Sequence, residues 1–186
     1  MLILSFIGQA QNEKGTFELT PIIGFASSNY TSSKKLSNDP ITSTDFGSYA
    51  DYYFNNRWSI RSGFLFQTMG SEYRDGIIYT EKLKYLTLPI NANWHFGKTR
   101  NWNLNFGFSL GFLNSATSNG HDIKKLVNNN QFGLSFGIGY KFKITEKFGI
   151  LIDFQGMSGL SEVAKESQIP LYNSHSAFNV GGVFKL

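Results

Sequence analysis

Cysteine is absent from the 186 residues, so neither a disulfide scaffold nor a thiolate metal site is available to this chain. Charge is also scarce: Asp, Glu, Lys and Arg together make up 16% of the residues, less than a water-facing surface normally carries. No apolar run approaches the roughly 18 to 20 residues that a membrane-crossing helix needs, which excludes a helical membrane protein. Apolar residues at helical spacing are nearly missing as well. Neither a phosphate loop, nor a dinucleotide fingerprint, nor a metal-ligand spacing occurs, and no cofactor is expected. The formal net charge of +4 raises the question of nucleic acid. However, the basic pairs Lys34 and Lys35, Lys98 and Arg100, and Lys124 and Lys125 fall in separate predicted loops, with no basic helix to organise them. They read as solvated lysines, with anionic lipid headgroups as the second reading, and not as a nucleic-acid surface.

What the chain does have is 18 Phe, 9 Tyr and 3 Trp beside 19 Gly, on a period of two. Trp102, Leu104, Phe106, Phe108, Leu110 and Phe112 share one face, while Asn103, Asn105, Gly107, Ser109 and Gly111 share the other. Phe132 to Ile144 repeats the pattern against Gln131, Gly133, Ser135, Gly137, Gly139, Lys141 and Lys143. Weaker alternation marks strands around Phe17 to Phe25, Phe46 to Phe54, Trp58 to Phe66, Leu86 to Phe96, Phe148 to Phe154 and Phe178 to Leu186, giving about eight. Asn55 to Arg57, Gly97 to Asn101 and Thr145 to Lys147 read as tight turns, and Ser28 to Ile41, Ser71 to Gly76, Ala116 to Val127 and Ser161 to Tyr172 as longer loops. Short turns at one end and long loops at the other are the layout of a bacterial outer-membrane barrel with periplasmic turns, which puts both termini in the periplasm.

A soluble lipocalin-like barrel also alternates, with the opposite polarity: its non-core face has to satisfy water and should be rich in charge. Here that face is mainly Gly, Ser, Asn and Gln, suited to a crowded polar lumen. The expected fold is therefore all-β: a closed antiparallel up-and-down transmembrane β-barrel of about eight strands, polar within. Trp58, Trp94 and Trp102 sit on the apolar face beside predicted short turns, as an aromatic girdle at the lipid interface would. Tyr30, Tyr79 and Tyr172 are expected at the outer rim. Inward-pointing Glu18, Asp51, Arg61, Lys141, Asp153 and Lys185 are expected to pair into a polar network that plugs the lumen. Glycines at 63, 107, 111, 133, 137, 139 and 181 would make room for longer side chains or mark tight coiling. Residues 1–10, an apolar stretch ending in small residues, resemble the back half of a secretory signal, which leaves 11–186 as the barrel domain.

The segment "KYLTLPINANWHFG" (Lys84 to Gly97) resembles the "YLxIP" strand of the PorT-like outer-membrane β-barrel domain proteins of the Bacteroidetes. "GSYADYYFNNRWSIRSGFLFQTMG" (Gly47 to Gly70) is similar to that family's second hairpin, with its acidic residue before an aromatic pair, tight turn and inward Arg61. Thr87 stands where the family often carries an acidic residue, so the ion pair that residue would make is not expected here. The resemblance implies a small Gram-negative cell-envelope barrel reached through the secretory pathway, with some relatives linked to secretion or gliding machinery. It fixes no biochemical role. The expected role is a structural or interaction component of a larger envelope or secretion complex, in contact with outer-membrane lipid. The alternative is a narrow channel or small-solute transport module. Third comes a lipid hydrolase or acyltransferase, with His121 and Asp122, or His175 with Ser174 and Ser176, as candidates near the outer rim, while His95 falls at the opposite end, where no substrate chain is expected. Histidines beside serines arise readily in so Ser-rich a chain, so the expectation is that the protein is not an enzyme.

Overall fold

The computed structural model describes residues 13–167 and 169–186. The expected signal remnant at residues 1–10 lies outside the described residues. Alternating apolar residues commit each long segment to a strand, because only an extended chain puts every second side chain on one face. The strands are β1 (Phe17–Thr31), β2 (Asn38–Tyr53), β3 (Trp58–Asp75), β4 (Ile77–Phe96), β5 (Trp102–Ser118), β6 (Asn130–Lys143), β7 (Phe148–Gly159) and β8 (Tyr172–Lys185). Each pairs antiparallel with its sequence neighbours, and β8 returns to pair with β1, so eight strands close into a barrel. A two-residue bridge at His121–Asp122 and a 3₁₀ turn at Lys124–Leu126 follow β5.

Closure decides which face is which. Phe25, Ile23 and Phe64 point outward and are 66%, 61% and 61% exposed, whereas Asn93, Asn103 and Asn105 point inward and are fully buried. A soluble barrel would show the reverse. The outward apolar run on β5, Trp102 to Phe112, spans about 25 Å at the usual strand rise and tilt, the height of a hydrocarbon belt. Aromatic rings tile this face across strand pairs, as with Phe46 on Phe66 at 5.0 Å and Phe108 on Phe132 at 5.5 Å.

Two expectations fail at the long-loop end. The segment Ser71 to Gly76 is not a loop: β3 runs to Asp75 and β4 starts at Ile77, so the chain reverses at Gly76 alone, whose φ of +72° suits glycine. Likewise the first loop shrinks to residues 32–37, because Ser28 pairs with Ile41 and the ladder continues outward. Strand pairing persists there because backbone N–H and C=O groups keep bonding each other above the apolar belt, where no alternation in hydrophobicity marks them. Conversely, the tight turns after β2, β4 and β6 fall where expected.

The interior is not polar throughout. Its long-loop half is apolar, packed from Tyr30, Met69, Leu83, Tyr85, Leu113, Ala116 and Met157, with Val127 and Val163 folded in from the third and fourth loops. Val127 bridges to Ala164, which ties the two loops over this plug. Inward glycines serve the packing as expected on β6: a Cβ at Gly137 would lie 2.2 Å from Gln155 Oε1, and one at Gly139 2.6 Å from Asp153 Cβ.

Candidate functional site

The short-turn half of the lumen holds the charged residues. The tight turn after β2 sets Asp51 directly opposite Arg61, and the Arg61 Nε donates to Asp51 Oδ2 at 3.0 Å. Across the lumen, Arg61 Nη1 donates to Asp153 Oδ2 on β7 at 3.3 Å. Both carboxylates keep further donors: Ser59 Oγ at 2.9 Å and Asn93 Nδ2 at 2.8 Å to Asp51, Gln155 Nε2 at 2.7 Å and Asn179 Nδ2 at 3.0 Å to Asp153. The guanidinium also lies over the Tyr49 ring, 4.9 Å from its centroid. One layer nearer the short turns, Lys141 pairs with Glu18, and the Tyr53 hydroxyl bonds both, at 2.9 Å to each. Tyr53 stacks on His95 at 4.7 Å, and His95 Nε2 lies 2.9 Å from Ser59 Oγ.

Five of the six residues expected in the network are thus joined in two clusters. Lys185 is the exception. It pairs in register with Glu18 at the strand ends, but it is only half-buried at the mouth and makes no ion pair among the described residues.

Sequence reasoning missed a third cluster. Asp45 on β2 accepts from His175 Nε2 at 2.7 Å and from Gln67 Nε2 at 2.8 Å. Inward parity was the available signal for Asp45, but the weak alternation around Thr42 and Thr44 hid it. A small chamber of about 40 Å³ adjoins this cluster, lined also by Tyr49, Thr87, Asn91 and Asn179. Gly24 sits between Asp45 and Asn179 in register, and a Cβ there would lie 1.9 Å from Asn179 Oδ1. Above the apolar plug, the Tyr30 and Tyr73 hydroxyls donate to Glu81 at 2.8 and 3.2 Å around an open mouth of about 360 Å³. Tyr30 therefore faces the lumen and does not form an outer rim, and Tyr79 stacks on Tyr73 at 5.3 Å.

The residues weighed for catalysis do not assemble. His175 is buried in the lumen against Asp45, not at the outer rim. His121 is exposed, and the carboxylate of Asp122 accepts from the Lys124 backbone N–H at 2.8 Å, which makes it a turn cap. His95 is buried near the short turns. Nor do three or more His, Asp or Glu gather into a metal-binding group among the described residues.

On the outer face, Trp58, Trp94 and Trp102 do come together. Trp58 and Trp94 are cross-strand partners with centroids 6.3 Å apart, Trp94 stacks on Phe96 at 4.9 Å, and Phe96 on Trp102 at 6.2 Å. Trp102 then meets Tyr140 edge-on at 4.9 Å, completing a ribbon of rings from β3 to β6 beside the short turns.

Solved structures with the same fold include the outer membrane protein OprG of Pseudomonas aeruginosa, at 13% identity and a TM-score of 0.59 over 95% of this chain and 98% of that one. Neisserial surface protein A is similar at 13% identity and a TM-score of 0.59, covering 91% and 97%. The N-terminal barrel domain of Pseudomonas aeruginosa OprF follows at 14% identity and 0.51, covering 94% and 100%. At such identities the likeness is one of fold. No curated relative matches the chain. Residues 1–184 match the outer membrane protein beta-barrel domain, and with a closed eight-stranded barrel that turns its rings outward and its asparagines inward, the chain belongs to that family of outer-membrane proteins.

Proposed function

We propose that this protein is a small outer-membrane barrel with a plugged lumen, acting as a structural or interaction component of a secretion-related cell-envelope assembly. In this reading the chain is a PorT-like protein of the Bacteroidetes, residues 1–10 are the end of a secretory signal, both termini are periplasmic, and the ribbon from Trp58 to Trp102 lies at the inner lipid interface.

One observation carries the reading: side chains fill the lumen in successive layers, with Lys141–Glu18, then Arg61 between Asp51 and Asp153, then Asp45–His175, then the apolar plug. Eight strands leave room for side chains and no wide channel. Catalysis is left out because His175 points into the lumen against Asp45 while Ser174 and Ser176 lie on the opposite face of the strand, and nucleic acid because no basic helix or continuous basic face is present among the described residues. The β3–β4 hairpin offers the reach to meet a partner: it extends roughly 30 Å past Phe66, at about 3.3 Å per residue, and exposes Ile77 and Ile78 near its tip.

The second reading, a narrow conduit, is favoured by the small chamber beside Asp45 and His175, whose wall mixes Asn91 and Asn179 with Ile22, Leu65 and Met157. Planar-bilayer recording separates the two. The purified barrel is expected to give no steady current above the lipid baseline, and reproducible unitary steps would refute the plug. Mild-detergent extraction from outer membranes then tests the interaction role: a stoichiometric companion is expected, and a barrel that migrates alone would count against it.

A further inference from the structure

The apolar belt carries no outward charge; above it, outward strand charge is confined to β2–β4, where Asp39 and Glu72 face each other in register and Arg74 lies nearer the hairpin tip, with lysines directly on the belt's edge. On β4 the outward positions run Phe96, Trp94, Ala92, Ile90, Leu88 and Leu86, and then switch to Lys84 and Lys82, both exposed. Cross-strand register places Phe66 and Phe112 beside Leu86 as the last apolar rung, and Thr68 and Ser115 beside Lys84 as the next. Gly70 and Thr117 flank Lys82 one rung higher. A β-bulge between Lys84 and Tyr85 leaves Asn114 as an extra residue on β5, and its carbonyl accepts from Lys124 Nζ at 2.8 Å. The bulge thus brings a third ammonium to the same height, one strand away.

Elsewhere on the circumference the outward residues just above the belt are uncharged: Ser27 on β1, Thr42 and Thr44 on β2, Asn130 on β6, Ser158 on β7, and Ser174 and Ser176 on β8. Among the described residues, Lys82, Lys84 and Lys124 form no ion pair. The nearest outward carboxylate on β3, Glu72, is bonded by Thr80 at 3.2 Å on a higher rung.

We propose that Lys82, Lys84 and Lys124, rimmed by the hydroxyls of Thr68, Ser115 and Thr117, form a binding site for the phosphorylated headgroup of a membrane glycolipid whose acyl chains lie on Phe66, Leu86 and Phe112. Charge complementarity supplies the headgroup contact. The apolar rung directly beneath selects a lipid over a soluble anion, because only a molecule with both parts fills both surfaces. The proposal rests on the reading that the long-loop end faces the outer leaflet.

The test is binding of diphosphoryl lipid A to the full chain in detergent micelles, read by native mass spectrometry. Lys82→Gln/Lys84→Gln is expected to weaken binding about 30-fold, from roughly 1 kcal/mol per lysine at an anionic surface. Lys34→Gln/Lys35→Gln in the first loop should leave it unchanged. The same lipid stripped of its phosphates should bind the native chain more weakly than phosphorylated lipid binds the double variant, which keeps Lys124. Wild-type affinity in a double variant that keeps its heat-modifiable gel mobility would overturn the site, as would equal binding of the dephosphorylated lipid or of soluble glucosamine phosphate. Should the double variant not fold, Lys84→Gln alone carries the test, with a weakening of about fivefold. Labelling a Ser33→Cys variant on whole cells with an impermeant maleimide reads orientation separately. An unlabelled chain would refute the outward placement, while the micelle titration still decides the lysines.

Discussion

Replacing Arg61 with Met should strip one cation from two buried carboxylates at once. Asp51 and Asp153 are each 1% exposed and lie 3.0 and 3.3 Å from the guanidinium. In Arg61→Met the neutral donors Ser59, Asn93, Gln155 and Asn179 would remain, but none supplies a positive charge. Breaking a buried ion pair from one side costs about 3–5 kcal/mol, because the partner stays buried without compensation. At about 1.4 kcal/mol per tenfold, the folding equilibrium should fall by about 10²- to 10⁴-fold. The assay is an equilibrium urea titration of the barrel refolded into lipid vesicles, followed by Trp fluorescence and by the mobility of unheated samples on gels. Because the cost comes from the stranded charges and not from lost packing, Arg61→Met/Asp51→Asn/Asp153→Asn should recover to within about 1–2 kcal/mol of the native chain. A loss below about 1 kcal/mol in the single variant, or a triple variant no better than the single, would refute the reasoning.

Other variants probe the two faces separately. Gly24→Ala should destabilise by about 1–3 kcal/mol, since its Cβ would collide with Asn179 Oδ1 and crowd the Phe178 carbonyl, and unchanged stability in the same titration would show that the lumen has room there. Phe106→Arg, near the middle of the outward run on β5, should cost about 2–4 kcal/mol in vesicles, and a variant as stable as the native chain would place that face away from acyl chains. Trp58, Trp94 and Trp102 lie beside the short turns, so lipids brominated near the headgroup should quench their fluorescence more than lipids brominated at mid-chain. The opposite order would move the ribbon of rings away from the interface.

The outward face was readable in the sequence because every lipid-facing position answers to one solvent, so Trp102 to Phe112 alternates without a fault. The Asp51–Arg61 pair was nearly readable too. A tight turn at Asn55 to Arg57 fixes the register, and counting back from it puts these two residues opposite each other. Asp153 is different: its partner lies across the lumen on a strand 92 residues away, and no local period encodes that contact. Lys185 shares the inward parity but stands at the strand end, where the lumen opens and burial no longer forces a partner. The apolar outer half was missed for a related reason. Tyr30, Met69, Leu83 and Tyr85 belong to strand extensions whose outward neighbours are polar or charged, which reversed the pattern that identified strands lower down. The inward path of Val127 and Val163 is a matter of loop packing, for which a single sequence carries no periodic mark.

The pairing of β1 with β8 differs from every other seam in the wall, since each of the others joins neighbours in the chain. Hairpins join strands a few residues apart, yet this ladder joins the two strands that are most distant in sequence, with the Leu186 N–H reaching back to the Phe17 carbonyl at 3.0 Å, and so carries the largest loop-closure cost. Removing β8 would therefore do more than subtract one strand. It would leave two unzipped borders facing hydrocarbon, each with amides in need of acceptors, and turn a cylinder into a sticky sheet whose simplest remedy is to recruit another open copy of itself.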